Sequence, residues 1–197
     1  NALRESEATL RSLNADLERE VLERTRERGR TWEVSPDLLS IMSPAGMFEA
    51  VNPAWVATLG WSTDHVARTP DLDFAHPDEL DASIAAFASV TSGQPVLRFE
   101  NRYCRADGGW SWLSWVAVPI DGKVYCSARD ITVEKLAQAE RDQLWTLSED
   151  MLGRADYAGN LSAVNPAWTR TLGWSEQQLL TNPYADIIHP DNVETVV

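Results

Sequence analysis

The sequence predicts an α+β fold with an antiparallel sheet, present in two tandem copies that are joined by helices. Residues 51–62 read VNPAWVATLGWS, and residues 164–175 read VNPAWTRTLGWS, so ten of twelve positions are identical. The offset of 113 residues holds without a gap from Trp32 and Trp145 to His76 and His189. Within the first copy, helical patterns are followed by three alternating strands with turn residues between them. A gapless repeat of this length predicts one domain type used twice.

The repeat and its flanking patterns divide the chain into four segments. We expect a coiled-coil helix over residues 1–31, a complete domain over 32–132, a linker helix over 133–148 and the truncated first half of a second domain over 149–197. Because the chain lacks an initiator Met and stops halfway through the second copy, we expect it to be a piece of a longer protein.

Charge and composition exclude several classes of partner. The net charge of −13 argues against nucleic acid, whose phosphates require Lys and Arg, and against direct contact with anionic membranes. The apolar runs are too short to span a bilayer. The two cysteines, Cys104 and Cys126, lack metal-site spacing and make no disulfide framework, so we expect a reducing cytoplasm.

Both helical segments carry a narrow apolar seam. In the first, Leu10, Leu13, Leu17 and Val21 follow a three-four-four spacing that indicates a coiled coil with a stutter. We expect these four residues to form a parallel homodimer. The alternative is a single solvated helix. In the linker helix, three-or-four spacing is kept, with one polar position, by Val133, Leu136, Glu140, Leu144, Leu147 and Met151.

Local signals order the elements of the first copy. Two strands, within 37–43 and 47–51, precede Asn52-Pro53, where Asn suits a helix N-cap and Pro the first helical position. Pro77 opens a longer helix, 78–90, whose expected core face is Leu80, Ile84, Phe87 and Val90. Three strands follow, at 96–104, 110–119 and 123–131, with hairpin turns at 107–109 and 121–122. In the first of these strands, the alternation places Leu97, Phe99 and Tyr103 on one face.

The middle strand of this meander is apolar on both faces. Leu113, Trp115 and Ala117 point one way, and Trp112, Val116 and Val118 point the other way. The helices of one domain cover a single face of so short a sheet. The outer face therefore needs a flanking helix or a second subunit, and we expect it to contribute to the homodimer.

The order of these elements and five short motifs resemble the PAS family. The motifs are Gly46 with Asn52-Pro53-Ala54, Leu59-Gly60-Trp61-Ser62, His76-Pro77-Asp78, Arg105-Ala106-Asp107-Gly108 and Arg129-Asp130-Ile131-Thr132. The resemblance implies a five-stranded antiparallel sheet in the order 2-1-5-4-3, with helices that enclose a pocket on one face. It also implies a place upstream of an output domain, most often a histidine kinase. Asp130, Ile131 and Thr132 would then transmit the signal into the following helix.

The resemblance suggests a pocket but no particular ligand. Its candidate lining is aromatic with one inward amide: Phe48, Trp55, Phe87, Phe99, Asn101, Tyr103 and Trp115. The simpler alternative is that the aromatic rings fill the core.

Cofactors and catalysis find little support in the sequence. His76 and His189 precede Pro-Asp at a helix start, whereas haem-binding relatives place their ligand within the long helix, which contains no His here. Cys104 and Cys126 lie in strands and not in the motif of flavin-binding light sensors. We therefore predict no cofactor, no metal and no catalytic centre in this segment. The parent is expected to be a histidine kinase, with a cyclic-dinucleotide enzyme as the alternative.

Overall fold

A computed structural model describes residues 29–157, 160–182 and 187 of the chain. The chain divides into two compact units, with the boundary between Thr132 and Val133. The predicted dimerisation residues Leu10, Leu13, Leu17 and Val21, and also His189, lie outside the described residues.

The first unit is built on a five-stranded antiparallel sheet. Its strands are β1 (Leu38–Met42), β2 (Phe48–Val51), β3 (Val96–Cys104), β4 (Trp110–Ile120) and β5 (Lys123–Asp130). Its helices are α1 (Ala54–Leu59), α2 (Thr63–Arg68) and α3 (Leu80–Thr91), with short 3-10 helices at Asp71–Phe74 and Pro77–Glu79. The strands lie in the order β2-β1-β5-β4-β3, which confirms the predicted fold class and topology.

Strand β4 has one buried and one accessible face. Leu113, Trp115 and Ala117 are buried, as predicted, because their side chains face the helices. On the opposite face Val116 remains 41 % exposed. The prediction for Leu97 is wrong, since its side chain is 69 % exposed. The register of β3 shifts between Val96 and Phe99, and this irregularity breaks the simple alternation of the strand.

Two of the four residues predicted for the core face of α3 are in place, since Val90 is buried and Phe87 packs against the core, and the other two are not. Leu80 and Ile84 are 36 % and 46 % exposed, while Ser83 and Val90 are buried. The chain runs as a 3-10 helix through Pro77–Glu79, so the α-helix begins only at Leu80. Inside, the Ser83 hydroxyl finds hydrogen-bonding partners that satisfy a buried polar group.

Asn52 joins two strands and does not cap α1. Its side-chain oxygen accepts from Leu39 N at 2.9 Å, and its amide donates to Asp37 O at 2.9 Å. The N-cap of α1 is Pro53, and no side chain caps that end. The predicted capping role of Asn52 is therefore wrong.

The second unit repeats the opening elements of the first. Helix α4 (Thr132–Leu147) leads into β6 (Gly153–Ala155), β7 (Leu161–Val164), α5 (Pro166–Leu172) and α6 (Glu176–Thr181). Asn165 accepts from Leu152 N at 2.9 Å and donates to Asp150 O at 2.9 Å, which reproduces the bridge made by Asn52. The near-identical repeat therefore encodes the same hairpin, bridge and helix pair.

Among the described helices, none has both the length and the apolar character that crossing a bilayer requires.

Candidate functional site

A cavity of about 50 Å³ lies in the first unit between α3 and the inner face of the sheet. Its wall is mostly apolar and contains a few polar groups, which is the usual make-up of a binding pocket. The lining residues are Met42, Asp71, Ser83, Ala86, Phe87, Val90, Val96, Phe99, Asn101, Tyr103, Trp115, Ala117, Val124 and Cys126. The volume has room for a few water molecules or a ligand of a few heavy atoms.

Two of the seven predicted lining residues do not line this cavity. Phe48 and Trp55 are 4 % and 0 % exposed and pack edge to face, with ring centroids 4.8 Å apart. The Trp55 indole N–H donates to Leu39 O at 3.1 Å, which holds the ring in the core. The other five residues, Phe87, Phe99, Asn101, Tyr103 and Trp115, all line the cavity.

Asn101 is the centre of a buried chain of hydrogen bonds. Its side-chain oxygen accepts from the Trp115 indole N–H at 2.7 Å, and its amide donates to Ser83 Oγ at 2.9 Å. The Ser83 hydroxyl in turn donates to Glu79 O at 2.8 Å. The chain therefore connects β4, through β3, to the start of α3. Buried polar groups satisfied in this way hold neighbouring elements in one arrangement.

A buried carboxyl lies in the same wall. The Tyr103 hydroxyl donates to Asp71 Oδ1 at 2.5 Å, and both side chains are buried. Burial raises the pKa of Asp71 to about 6, and the hydrogen bond from Tyr103 opposes this shift in part. Burial and the nearby Asp71 carboxyl hold the pKa of Tyr103 well above its ordinary value. The cavity thus contains one carboxyl that titrates near neutral pH.

Asp71 and Ser83 line the cavity although no sequence pattern predicted them there. Asp71 lies in the segment between α2 and α3, and Ser83 lies outside the expected apolar stripe of α3. Position 71 nevertheless differs between the two copies of the repeat. Position 184, at the same offset of 113, is Tyr184, so the carboxyl belongs to the first copy alone.

The two cysteines lie in strands, as predicted. Burial raises the pKa of Cys126 to about 12 and also raises the pKa of Cys104. Reactive thiols have lowered pKa values, so these two side chains are suited to packing.

His76 begins the 3-10 helix that precedes α3. Its Nδ1 accepts from Asp78 N at 3.1 Å, so its ring caps that helix. His76, Asp78 and Glu79 bring their ligand atoms within 4.8 Å of one another. Arg102 donates to both carboxylates of this group, and its hydrogen bond to Glu79 lowers the pKa of that carboxyl. The arrangement is an ion-pair network around a helix start.

The predicted transmission residues join the sheet to α4. Asp130 Oδ1 accepts from Thr132 N at 2.9 Å, and Thr132 Oγ1 accepts from Trp112 N at 2.9 Å. Ile131 N donates to Trp112 O at 2.8 Å. The first residue of α4 is therefore bonded to both β4 and the end of β5. The role of these three residues in signalling stays a prediction.

Comparison with known proteins assigns this fold to a family. Residues 48–128 match the family model described as the PAS fold. These residues form a PAS domain. Its five strands and the cavity beneath α3 agree with the topology implied by the motifs.

Solved structures show similar folds. An RNA-binding light-oxygen-voltage receptor matches the PAS domain with a TM-score of 0.51 at 19 % identity, over 61 % of this chain and 36 % of that chain. A domain of a sensory box sensor histidine kinase/response regulator from Geobacter sulfurreducens gives a TM-score of 0.49 at 23 % identity, over 56 % and 96 %. The PAS domain of an HTR-like protein from Haloarcula marismortui gives a TM-score of 0.49 at 21 % sequence identity, over 59 % of this chain and 99 % of that chain.

One curated relative spans both units. It is the uncharacterized protein y4lL of Sinorhizobium fredii, 25 % identical over 186 residues, which are 83 % of this chain and 21 % of that protein. The chain therefore spans about a fifth of the length of this relative.

Proposed function

We propose that this chain is the sensory and dimerisation region of a cytoplasmic, multidomain sensor histidine kinase. In this proposal the helices between PAS units pair in a homodimer and carry a conformational change to the downstream kinase domain. A small shift in register or rotation of paired helices is a known form of such a switch.

The exposed apolar seam of α4 is the observation that carries the proposal. No residue of this 16-residue helix is buried. Val133, Leu136, Leu144 and Leu147 are between 64 % and 77 % exposed. They lie along one side of the helix, because Glu140 fills the gap between Leu136 and Leu144 and the series then keeps three-or-four spacing, as in a coiled coil. A second copy of the same helix would bury this seam symmetrically.

The sheet supplies a second accessible apolar surface. Val116, Ile120 and Tyr125 are between 41 % and 48 % exposed. In the proposed dimer this outer face packs against a helix or against the partner. The junction at Asp130 and Thr132 then places the sheet and the dimer helix in direct hydrogen-bonded contact.

Sedimentation analysis of the chain tests this proposal. We expect a dimer at concentrations on the order of tens of micromolar. Leu136→Asp and Leu144→Asp place a charge in the seam and should weaken dimerisation by about a hundredfold or more. Gln138→Asp adds the same charge on the opposite side of α4 and should change it by less than about threefold. A monomeric wild type, or seam variants that dimerise like Gln138→Asp, would contradict the proposal.

The cavity favours a second candidate function, a small-molecule sensor that feeds a cyclic-dinucleotide enzyme. The supporting observation is the buried polar set of Asp71, Ser83 and Asn101 around a space of about 50 Å³. A ligand that raises the melting temperature of the chain in a saturable manner would favour it.

A further inference from the structure

We propose that the cavity of the first PAS unit binds a small alkylammonium ion. The carboxylate of Asp71 would supply the opposite charge, and the rings of Phe87, Phe99, Tyr103 and Trp115 would form the walls. This inference rests on the proposed sensory function and names the chemical class of its ligand.

The carboxyl of Asp71 has no cationic partner in the described part of the chain. Among the described residues, its side chain accepts one hydrogen bond, which comes from the neutral hydroxyl of Tyr103. The described ion pairs involve other acidic residues, among them Asp78 and Glu79. A buried carboxylate is costly unless a positive charge accompanies it. A cationic ligand would supply that charge.

Aromatic rings make the cavity suitable for a cation. The rings of Tyr103 and Trp115 lie with centroids 5.0 Å apart and are inclined at 49°. Phe87 and Phe99 add two more rings to the wall. The faces of such rings carry negative potential and attract ammonium groups. Together with one carboxylate they form a site that prefers a cation to a neutral molecule of equal size.

The Asn101 amide and the Ser83 hydroxyl in the wall already have hydrogen-bonding partners within the protein. Asn101 accepts from Trp115 and donates to Ser83, and Ser83 donates to a backbone carbonyl. The oxygens of Asp71 and Tyr103 are therefore the acceptors best placed for the N–H groups of a ligand.

The size of the cavity restricts the ligand to a few heavy atoms. A volume of about 50 Å³ is far below the roughly 300–1,000 Å³ of pockets for drug-sized molecules. Methylammonium has two heavy atoms and fits this limit. With so few atoms the dissociation constant should be on the order of millimolar.

The internal repeat does not carry this carboxyl in its second copy. Position 71 is Asp in the first copy and the equivalent position 184 is Tyr, whereas Asn52 and Trp55 have identical counterparts in Asn165 and Trp168. Ten of the twelve residues in 51–62 are likewise the same in 164–175. The carboxyl is a feature of the first cavity.

Thermal unfolding of the whole chain in methylammonium chloride tests the inference, with sodium chloride at equal ionic strength and methanol as the neutral analogue. We expect a saturable rise in melting temperature with methylammonium alone. Asp71→Asn should abolish this rise. Asp73→Asn, an exposed neighbour in the same 3-10 helix, should retain it.

A second variant keeps the carboxyl and fills the space. Ala86 lines the cavity, so Ala86→Leu should weaken methylammonium binding by about tenfold or more while circular dichroism confirms that the domain folds. An equal shift with methanol or sodium chloride, or a shift that persists in Asp71→Asn, would overturn the inference.

Sedimentation of the same samples without amine separates this inference from the proposed function. A dimer that fails to bind methylammonium overturns the ligand alone. A monomer that binds it overturns the dimeric relay alone.

Discussion

The hydroxyl oxygen of Thr132 accepts a 2.9 Å hydrogen bond from the backbone N–H of Trp112. Trp112 lies on β4, three residues before the cavity residue Trp115. Thr132 is the first residue of α4. Strand β4 therefore both lines the cavity, through Trp115, and bonds to the first residue of α4, through Trp112.

Thr132→Val removes this hydroxyl and leaves the shape of the side chain unchanged. We expect the first unit to lose about 1–2 kcal/mol of stability, because the Trp112 N–H and the Asp130 carboxylate both lose a partner. Urea unfolding measures the loss, and hydrogen exchange should show faster exchange at the start of α4. Thr91→Val removes an exposed hydroxyl at the end of α3 and serves as the control. Equal effects of the two substitutions would contradict the assigned role.

Asn52→Ala should be among the most destabilising polar substitutions in the first unit. Asn52 is 0 % exposed and bonds to the backbone of Leu39 and Asp37. Its loss removes the acceptor of the Leu39 N–H and leaves the Asp37 carbonyl with only the longer 3.3 Å bond from the Ser35 hydroxyl, at a cost of about 2–3 kcal/mol. Urea denaturation checks this value, and the exposed Gln94→Ala should change stability by less than about 0.5 kcal/mol. A loss below about 1 kcal/mol would show that water replaces the amide.

Asp71→Asn should stabilise the first unit at alkaline pH. Burial raises the pKa of Asp71 from 3.8 to about 6, so the folded state holds this proton more tightly than the unfolded chain does. The contribution of this group therefore favours folding most below pH 4 and is lost as the pH rises through about 6. The shift corresponds to about 3 kcal/mol at pH 8, which the neutral amide avoids.

Urea unfolding at pH 4.5 and pH 8 checks the sign of this effect. The stability of Asp71→Asn relative to the wild type should increase as the pH rises. The relative stability of Asp73→Asn should show no such change. The titratable side chains that contact or face Asp71 are Tyr103 and Cys126, whose raised pKa values keep both neutral over this range. A difference between variant and wild type that does not change with pH would show that Asp71 keeps its ordinary pKa.

Neither cysteine should react readily with thiol reagents at pH 8. Burial raises the pKa of both thiols, and that of Cys126 reaches about 12, so the thiolate fraction is small. We expect labelling of the folded chain to be about a hundredfold slower than in denaturant, with the half-buried Cys104 labelled before Cys126. Rapid labelling of Cys126 in the folded chain would mean that β5 opens.

Local sequence patterns predicted much of the fold correctly. The alternation in β4 correctly placed Leu113, Trp115 and Ala117 inside. The Asp121-Gly122 turn was also predictable, because Asp-Gly is a preferred pair for the left-handed backbone of a tight hairpin. Both residues adopt that conformation. The repeat predicted that the hairpin and helix pair occur in both units.

The patterns failed where a side chain bonds to a distant part of the chain. Asn52 is a residue type that favours the N-cap, yet its side-chain partners are Leu39 on β1 and Asp37 just before β1, which lie 13 and 15 residues away. Ser83 lies outside the expected apolar stripe of α3, yet it is buried and accepts a hydrogen bond from Asn101. Helical periodicity predicts burial from apolar spacing and gives no weight to such a bond.

The sequence by itself determined the α+β class, the tandem repeat and most of the aromatic wall of the cavity, because these depend on periodicity, turn residues and motif order. Only the tertiary structure decided that Asp71 belongs to that wall. Asp71 and Tyr103 are 32 residues apart, and the sheet and the 3-10 helix must pack before their side chains meet. The raised pKa of Asp71 has the same origin, since it comes from burial among residues that no local pattern connects.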